Sequence, residues 1–217
     1  MKYCCLTDLQ LVDDELFNDI LVWANNPTGT LISEYTNQNI NSWLGAGTRL
    51  SDVADQSQLL LVEERLNSRL AANPEYKLAY FRTWINDDIT QRVLDRLPNN
   101  IKATNPSIRL QLIQNGLVPH IDLYRKTVLI CPIVTNKEQT IFWDKNDAHT
   151  FGMGVLADPD QITQRMSVEF KPRESWLLDV SEVHSVELNN QLNQRITISV
   201  GWESLTFNEV VKLLHES

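Results

Sequence analysis

From about Ile101 to Trp202 the chain is a run of short segments rich in Val, Ile, Leu, Thr and aromatics, separated by polar breaks: "SIRLQLI", "VPHIDLY", "KTVLICPIV", "TIFWDK", "MSVEFK", "SWLLDV", "HSVEL" and "RITISVGW". Parallel pairing needs long crossovers, usually helical, and no helical pattern of that length lies between these segments. Strands so placed read as an all-β sandwich or barrel. This pattern limits the fold more than any other feature of the sequence.

The first hundred residues differ. "DDELFNDILVWAN" puts Leu16, Phe17, Ile20, Leu21 and Trp23 along one side at helical spacing, and "NPTGT" ends that pattern. Ser51 and Asp52 form a plausible N-cap for a second helix carrying Leu59, Val62, Leu66 and Leu70. "YKLAYFRTWI" favours a strand, and "DDITQRVLDRL" returns to helical spacing, with acids at its start and Arg96 near its end to suit the helix dipole. "TFNEVVKLLHES" closes the sequence as a short amphipathic helix. Helices followed by strands make the whole protein α+β. No linker divides its 217 residues, and they are enough to bury a core without staples.

Charge and cysteine content narrow the partners and the compartment. A net charge of −9 disfavours a nucleic-acid backbone or an anionic membrane, both of which reward clustered Lys and Arg. Cys4, Cys5 and Cys131 make no disulfide framework and no zinc spacing, and the expected state is reduced. The start "MKYCCLTDLQ" has no apolar signal core, and no stretch approaches membrane-spanning length, so the expected location is the cytoplasm.

"GLVPHIDLY" places His120 and Asp122 two residues apart, on one face if the segment is extended, with Pro119 favouring extension of Val118. Alone, the pair reads equally as a buried histidine–carboxylate hydrogen bond. His184 follows in "WLLDVSEVHSVEL", and eleven residues later Arg195 opens "RITISVGW". In that last strand Arg195, Thr197, Ser199 and Gly201 share one face, opposite Ile196, Ile198, Val200 and Trp202. The polar face either meets water or lines a space that holds something anionic, since a guanidinium matches a carboxylate bidentately. Two imidazoles and a carboxylate on one side of an octahedral metal, with three positions open, is the arrangement of non-haem Fe(II) oxygenases.

Ser107 to Trp202 resembles the Fe(II)/2-oxoglutarate-dependent oxygenases, whose core is a double-stranded β-helix, a jelly-roll of the cupin type. "IRLQLIQNGLVPHIDLY", "KPRESWLLDVSEVHSVEL" and "QRITISVGW" carry the resemblance. It implies His120, Asp122 and His184 as iron ligands and catalytic centre, Arg195 and Thr197 on 2-oxoglutarate, and Fe(II), 2-oxoglutarate and O2 as cofactor and co-substrates. The implied layout is one domain over 1–217: a part with several helices over about 1–100, a β-helix core over about 101–205 and a short helix over 206–217. Two departures stand out. The turn "KPRES" lacks the usual glycine, and Gly201 occupies the place of the second arginine of nucleic-acid demethylases.

"HID" with "YRKTVLICPI" is most similar to the small prolyl- and aspartyl/asparaginyl-hydroxylase-like members, which implies hydroxylation of a C–H bond in the side group of an amino acid or peptide. Two other functions fit the same strands: a cupin-like metalloprotein acting as an isomerase or other dioxygenase, and a non-catalytic β-sandwich binding protein. Of the other residues, His149 reads as a solvated loop residue, His215 as surface and Cys131 as small buried packing. Tyr124, Arg125 and Trp143 either border a pocket or simply pack.

Overall fold

In the computed structural model the described residues are 3–36, 71, 80–114, 116–122, 124–144, 149–151, 154–156, 162–187 and 194–216. The helix expected after Ser51 lies outside them. In sequence order the elements are β1 (Cys4–Thr7), α1 (Asp14–Asn25), β2 (Thr30–Thr36), β3 (Tyr80–Ile85), α2 (Asp87–Arg96), α3 (Asn99–Lys102), β4 (Ser107–Gln114), β5 (Leu117–His120) and β6 (Thr127–Val134). They continue as β7 (Gln139–Trp143), β8 (His149–Phe151), β9 (Gly154–Leu156), β10 (Gln164–Glu169), β11 (Ser175–Asp179), β12 (His184–Val186), β13 (Gln194–Trp202) and α4 (Phe207–His215).

The strands form a seven-stranded sheet, β1-β11-β6-β13-β4-β3-β2, and a six-stranded sheet, β10-β7-β12-β5-β9-β8. Every pairing among the described residues is antiparallel. From β4 to β7, and again from β10 to β13, the backbone steps from one sheet to the other at each strand. β13 sits near the centre of the larger sheet, paired with β4 along one edge and β6 along the other. It is buried on both faces, so its two sets of side groups meet different environments.

The period of two along β6 and β13 sorts their residues into two cores. Leu129, Cys131, Ile133, Ile196, Ile198, Val200 and Trp202 join Leu16, Ile20 and Trp23 of α1, Val93 of α2 and Val210 of α4 in the larger one. Val128, Ile130 and Leu178 face the other way, onto Phe142 and Phe170. Burying each such residue contributes roughly 1.5–3 kcal/mol.

The expected layout of several helices preceding the strands does not hold for the described residues. Among the described residues α1 and α2 form as their spacing predicts, but β1, β2 and β3 lie among them. The physical reason is edge pairing. β4 would otherwise expose its outer row of backbone groups, and β3 and β2 cover it, while β1 covers β11. His149 belongs to strand β8 rather than to a loop, and its imidazole lies outside what is described. β5 ends at His120, so the extended segment is shorter than "VPHIDLY".

The turn without glycine has a specific solution. Arg173 takes the left-handed backbone itself, with φ 70°, a strained state for any residue other than glycine. Its N–H donates to the Pro132 carbonyl at 2.8 Å. Its guanidinium lies over the Phe17 ring at 4.1 Å and pairs with Asp14 at 2.5 Å.

All three cysteines are unpaired thiols, Cys4 and Cys131 buried. Burial pushes Cys131 up to about 12 and Cys4 to about 11, which keeps both protonated and unreactive at neutral pH. No helix among the described residues is long and apolar enough to cross a membrane.

Candidate metal centre

The smaller sheet brings the two histidines together. His184 of β12 stands directly across from His120 of β5, a cross-strand position where neighbouring residues touch, and the ring centroids are 4.3 Å apart. Asp122 lies just past β5, its backbone N–H donating to the Val180 carbonyl at 2.9 Å. That bond ties the short segment after His120 to the end of β11. Asp122 Oδ1 is 3.8 Å from His120 Nε2, and one ligand atom from each of His120, Asp122 and His184 lies within 4.8 Å of the others. Between them, Ile121 packs against the cluster of Trp143, Ile162 and Val183.

The electrostatics suit a cation. His184 Nδ1–H donates to the Glu182 carbonyl at 2.9 Å, which fixes the tautomer and leaves Nε2 for a metal. Burial, then the neighbouring His120, pulls the His184 imidazole down to about 4, so it is neutral at physiological pH. Burial by itself would raise the Asp122 carboxyl. The Arg125 guanidinium, together with the two histidines, outweighs it, and the net shift is downward. A neutral imidazole and an ionised carboxylate are the protonation states that metal ligation needs. The donor set of two nitrogens and one oxygen fits a first-row divalent metal of the iron type.

The polar face of β13 does not meet water. Arg195 is 5% exposed, Thr197 1% and Ser199 0%. Arg195 crosses to the smaller sheet, where Nη1 donates to Thr140 Oγ1 at 3.2 Å and its guanidinium lies 5.2 Å from the centre of the Phe170 ring. Its counter-charge is Glu138, with Oε1 3.6 Å from Arg195 Nε. That is an ion pair beyond hydrogen-bond reach. Both atoms are buried without a hydrogen-bond partner among the described residues. Burial lowers Arg195 to about 10 and Glu138 opposes the shift, so the guanidinium stays charged at neutral pH. A buried charge in this state is costly unless something completes its bonding, and a carboxylate is the chemical complement of its fork.

Beside it, Thr197 donates to Gln111 at 3.2 Å, and Thr83, Gln111 and Thr197 stand in register across β3, β4 and β13. This row of polar residues is buried throughout.

The structure therefore groups His120, Asp122 and His184, and sets Arg195 and Thr197 on the inner face of the adjoining sheet. His215 is exposed, as its position near the end of the sequence implies. Trp143 donates its indole N–H to Ser185 at 2.8 Å and is buried packing. Tyr124 is exposed. Sequence reasoning does not single out Thr140, Glu138 or Gln111, and leaves Arg125 undecided. The signal for Thr140 and Glu138 is slight: a polar pair opening a strand that pairs with the one bearing His184.

No family model matches this protein, and neither does any curated protein. Among solved structures it is similar to SnoN, a non-haem α-ketoglutarate-dependent epimerase from nogalamycin biosynthesis. That likeness has TM-score 0.41 and 10% identity, over 91% of this protein and 77% of the other. SnoN is also known in complex with Fe3+, α-ketoglutarate and nogalamycin RO. A carbocyclase of the same biosynthesis, SnoK, gives TM-score 0.40 and 10% identity over 64% of this protein and 74% of its own length. The Escherichia coli ribosomal oxygenase YcfD gives 0.39 and 13%, over 61% of this protein and 34% of its own length. These are distant likenesses, and what the site can do follows from its own atoms.

Proposed function

We propose that this protein is a non-haem Fe(II)- and 2-oxoglutarate-dependent oxygenase with a double-stranded β-helix core over about 101–205. The observation that carries the reading is the group of His120, Asp122 and His184, with donor atoms within 4.8 Å of one another. Two further features support it. The strands β4–β7 and β10–β13 alternate between two sheets, the winding of a jelly-roll. Arg195 is buried on the inner face of β13, and its Nε has no hydrogen-bond partner among the described residues.

In this reading His120, Asp122 and His184 would hold the metal, two imidazoles and one carboxylate being a donor set suited to Fe(II). Arg195 takes the far carboxylate of 2-oxoglutarate, with the hydroxyl of Thr140 beside it and Thr197 next along the same face. Glu138 offsets part of the Arg195 charge without satisfying Nε, so the fork can still accept an anion. Phe142 and Phe170, both fully buried, keep water from the inter-sheet space. When bound, iron with 2-oxoglutarate and O2 supplies the oxidising chemistry: 2-oxoglutarate gives succinate and CO2 while a substrate C–H becomes C–OH. The substrate we propose is an amino-acid or peptide side group, on the resemblance of the "HID" to "YRKTVLICPI" stretch to the small hydroxylases.

Anaerobic addition of 2-oxoglutarate to the Fe(II)-loaded protein should give a visible charge-transfer band, and succinate should form when O2 and a suitable amino acid or peptide are supplied. Asp122→Ala and His184→Ala should abolish both signals and weaken metal binding. Metal affinity unchanged by Asp122→Ala, together with no band in the wild type, would overturn the reading.

A further inference from the structure

We propose that Arg125 is a positioning residue for the metal-binding carboxylate, and that residue 201 is glycine in order to admit it. The inference rests on the metal-centre reading but not on the identity of the co-substrate. Arg125 follows Asp122 by three residues. Its Nη2 forms an ion pair with Asp122 Oδ2 at 2.5 Å, outside hydrogen-bond alignment, while its Nη1 donates to Ser199 Oγ at 2.8 Å. The Arg125 side chain is 12% exposed and that of Asp122 13%, so little water competes for either. Ser199 is fully buried on β13. One fork therefore holds the carboxylate on one side and the larger sheet on the other.

The backbone reinforces this placement. Lys126 N–H donates to the Trp202 carbonyl, and the N–H groups of Val180 and Ser181 both point to the Lys126 carbonyl. The stem of Arg125 lies across Gly201. A Cβ built there would fall 2.6 Å from Arg125 Cδ and 3.2 Å from Ser107 Oγ. Gly201 has no positive φ, so the glycine is explained by space and not by backbone conformation.

The consequence concerns which oxygen binds metal. With Oδ2 held by Arg125, Oδ1 is the oxygen presented toward His120, 3.8 Å from its Nε2. Ligand-orienting partners of this kind typically change metal affinity by ~10–100-fold when removed. Charge alone predicts the opposite sign, because removing a cation beside a divalent metal favours the metal. The direction of the change therefore separates positioning from simple electrostatics.

The test is Mn(II) binding to the metal-free full-length protein without 2-oxoglutarate, read from the free Mn(II) signal in electron paramagnetic resonance. Arg125→Ala should weaken binding by roughly tenfold or more. Gly201→Ala, which touches no ligand, should weaken it comparably by displacing the arginine stem. In the Arg125→Ala background, Gly201→Ala should have no further effect, since nothing is left to displace. Arg125→Lys keeps the charge and loses the two-pronged fork, and should fall between wild type and Arg125→Ala.

Tighter or unchanged binding in Arg125→Ala overturns the proposal, as does a Gly201→Ala effect that persists at full size without Arg125. If Arg125→Ala does not fold, the same comparison runs with Arg125→Lys and Gly201→Ala. Wild-type protein that binds no Mn(II) overturns this inference and the metal reading together. Wild-type protein that binds Mn(II) but shows no response to 2-oxoglutarate overturns only the oxygenase reading.

Discussion

At the scale of single residues, the site depends on a few positions where a side group or its absence is dictated by close neighbours. Gly116 is the clearest outside the group of His120, Asp122 and His184. Its φ is 95°, and a Cβ there would fall 2.5 Å from the Glu187 carbonyl and 2.8 Å from that of Val186. Both are backbone atoms at the end of β12, which cannot move aside cheaply. Gly116→Ala should therefore destabilise the fold by about 1–3 kcal/mol and disturb the β5–β12 register that sets His120 against His184. Denaturant unfolding measures the first effect, and Mn(II) affinity of the folded fraction the second. His120, Asp122, His184 and Arg195 were all legible as candidates because their residue types and order carry chemistry. Arg125 was not, because an arginine three residues after an aspartate has no preferred partner until Ser199 and Gly201 are placed beside it.

At the scale of elements, the helix ends are held by capping side groups. Asp13 caps α1 by accepting the Leu16 N–H at 2.8 Å, and it also pairs with Arg96 of α2. The Leu16 bond first, and the Arg96 contact second, hold the Asp13 carboxyl below its ordinary value of 3.8. A carboxyl lowered by folding adds stability that is complete above its unfolded value and fades as pH falls through the folded one. Asp13→Asn keeps a capping oxygen but carries no charge. Its stability, followed by circular dichroism, should thus fall less steeply than wild type between neutral pH and the acid range below 3.8. α4 begins with a capping box in which Thr206 and Glu209 bond reciprocally, and α2 is capped by Asn86. Helical spacing is local, so α1, α2 and α4 were readable, while their caps emerged from the structure. The eight strands of the second half that the sequence marks were readable for the same reason, by alternation and turn residues. β1, β2, β8 and β9 were missed because three or four residues carry too little periodicity, or because their pairing covers an edge that only the assembled sheet possesses.

At the scale of the whole molecule, the site exists only when the two sheets are assembled. His120 and His184 come from the smaller sheet, Arg195 and Ser199 from the larger, and Asp122 and Arg125 from the segment between β5 and β6. The unfolded protein has no such grouping, so ligands of the site bind the native state alone. Mn(II) with 2-oxoglutarate should raise the melting temperature, by about 2.7 kcal/mol of stabilisation at a hundredfold excess over Kd. Either ligand absent, the shift should shrink. No shift with both present would favour a non-catalytic sandwich. The sequence by itself determined the strand-rich character of the second half, the helical spacing of α1, α2 and α4, and the order of the candidate metal ligands, because each follows from spacing along a few turns of backbone. Which sheet each strand joins, the burial of the β13 polar face, the Glu138 partner of Arg195 and the fit of Arg125 over Gly201 were decided only by tertiary structure. They depend on contacts between residues far apart in the sequence, and no local period encodes them.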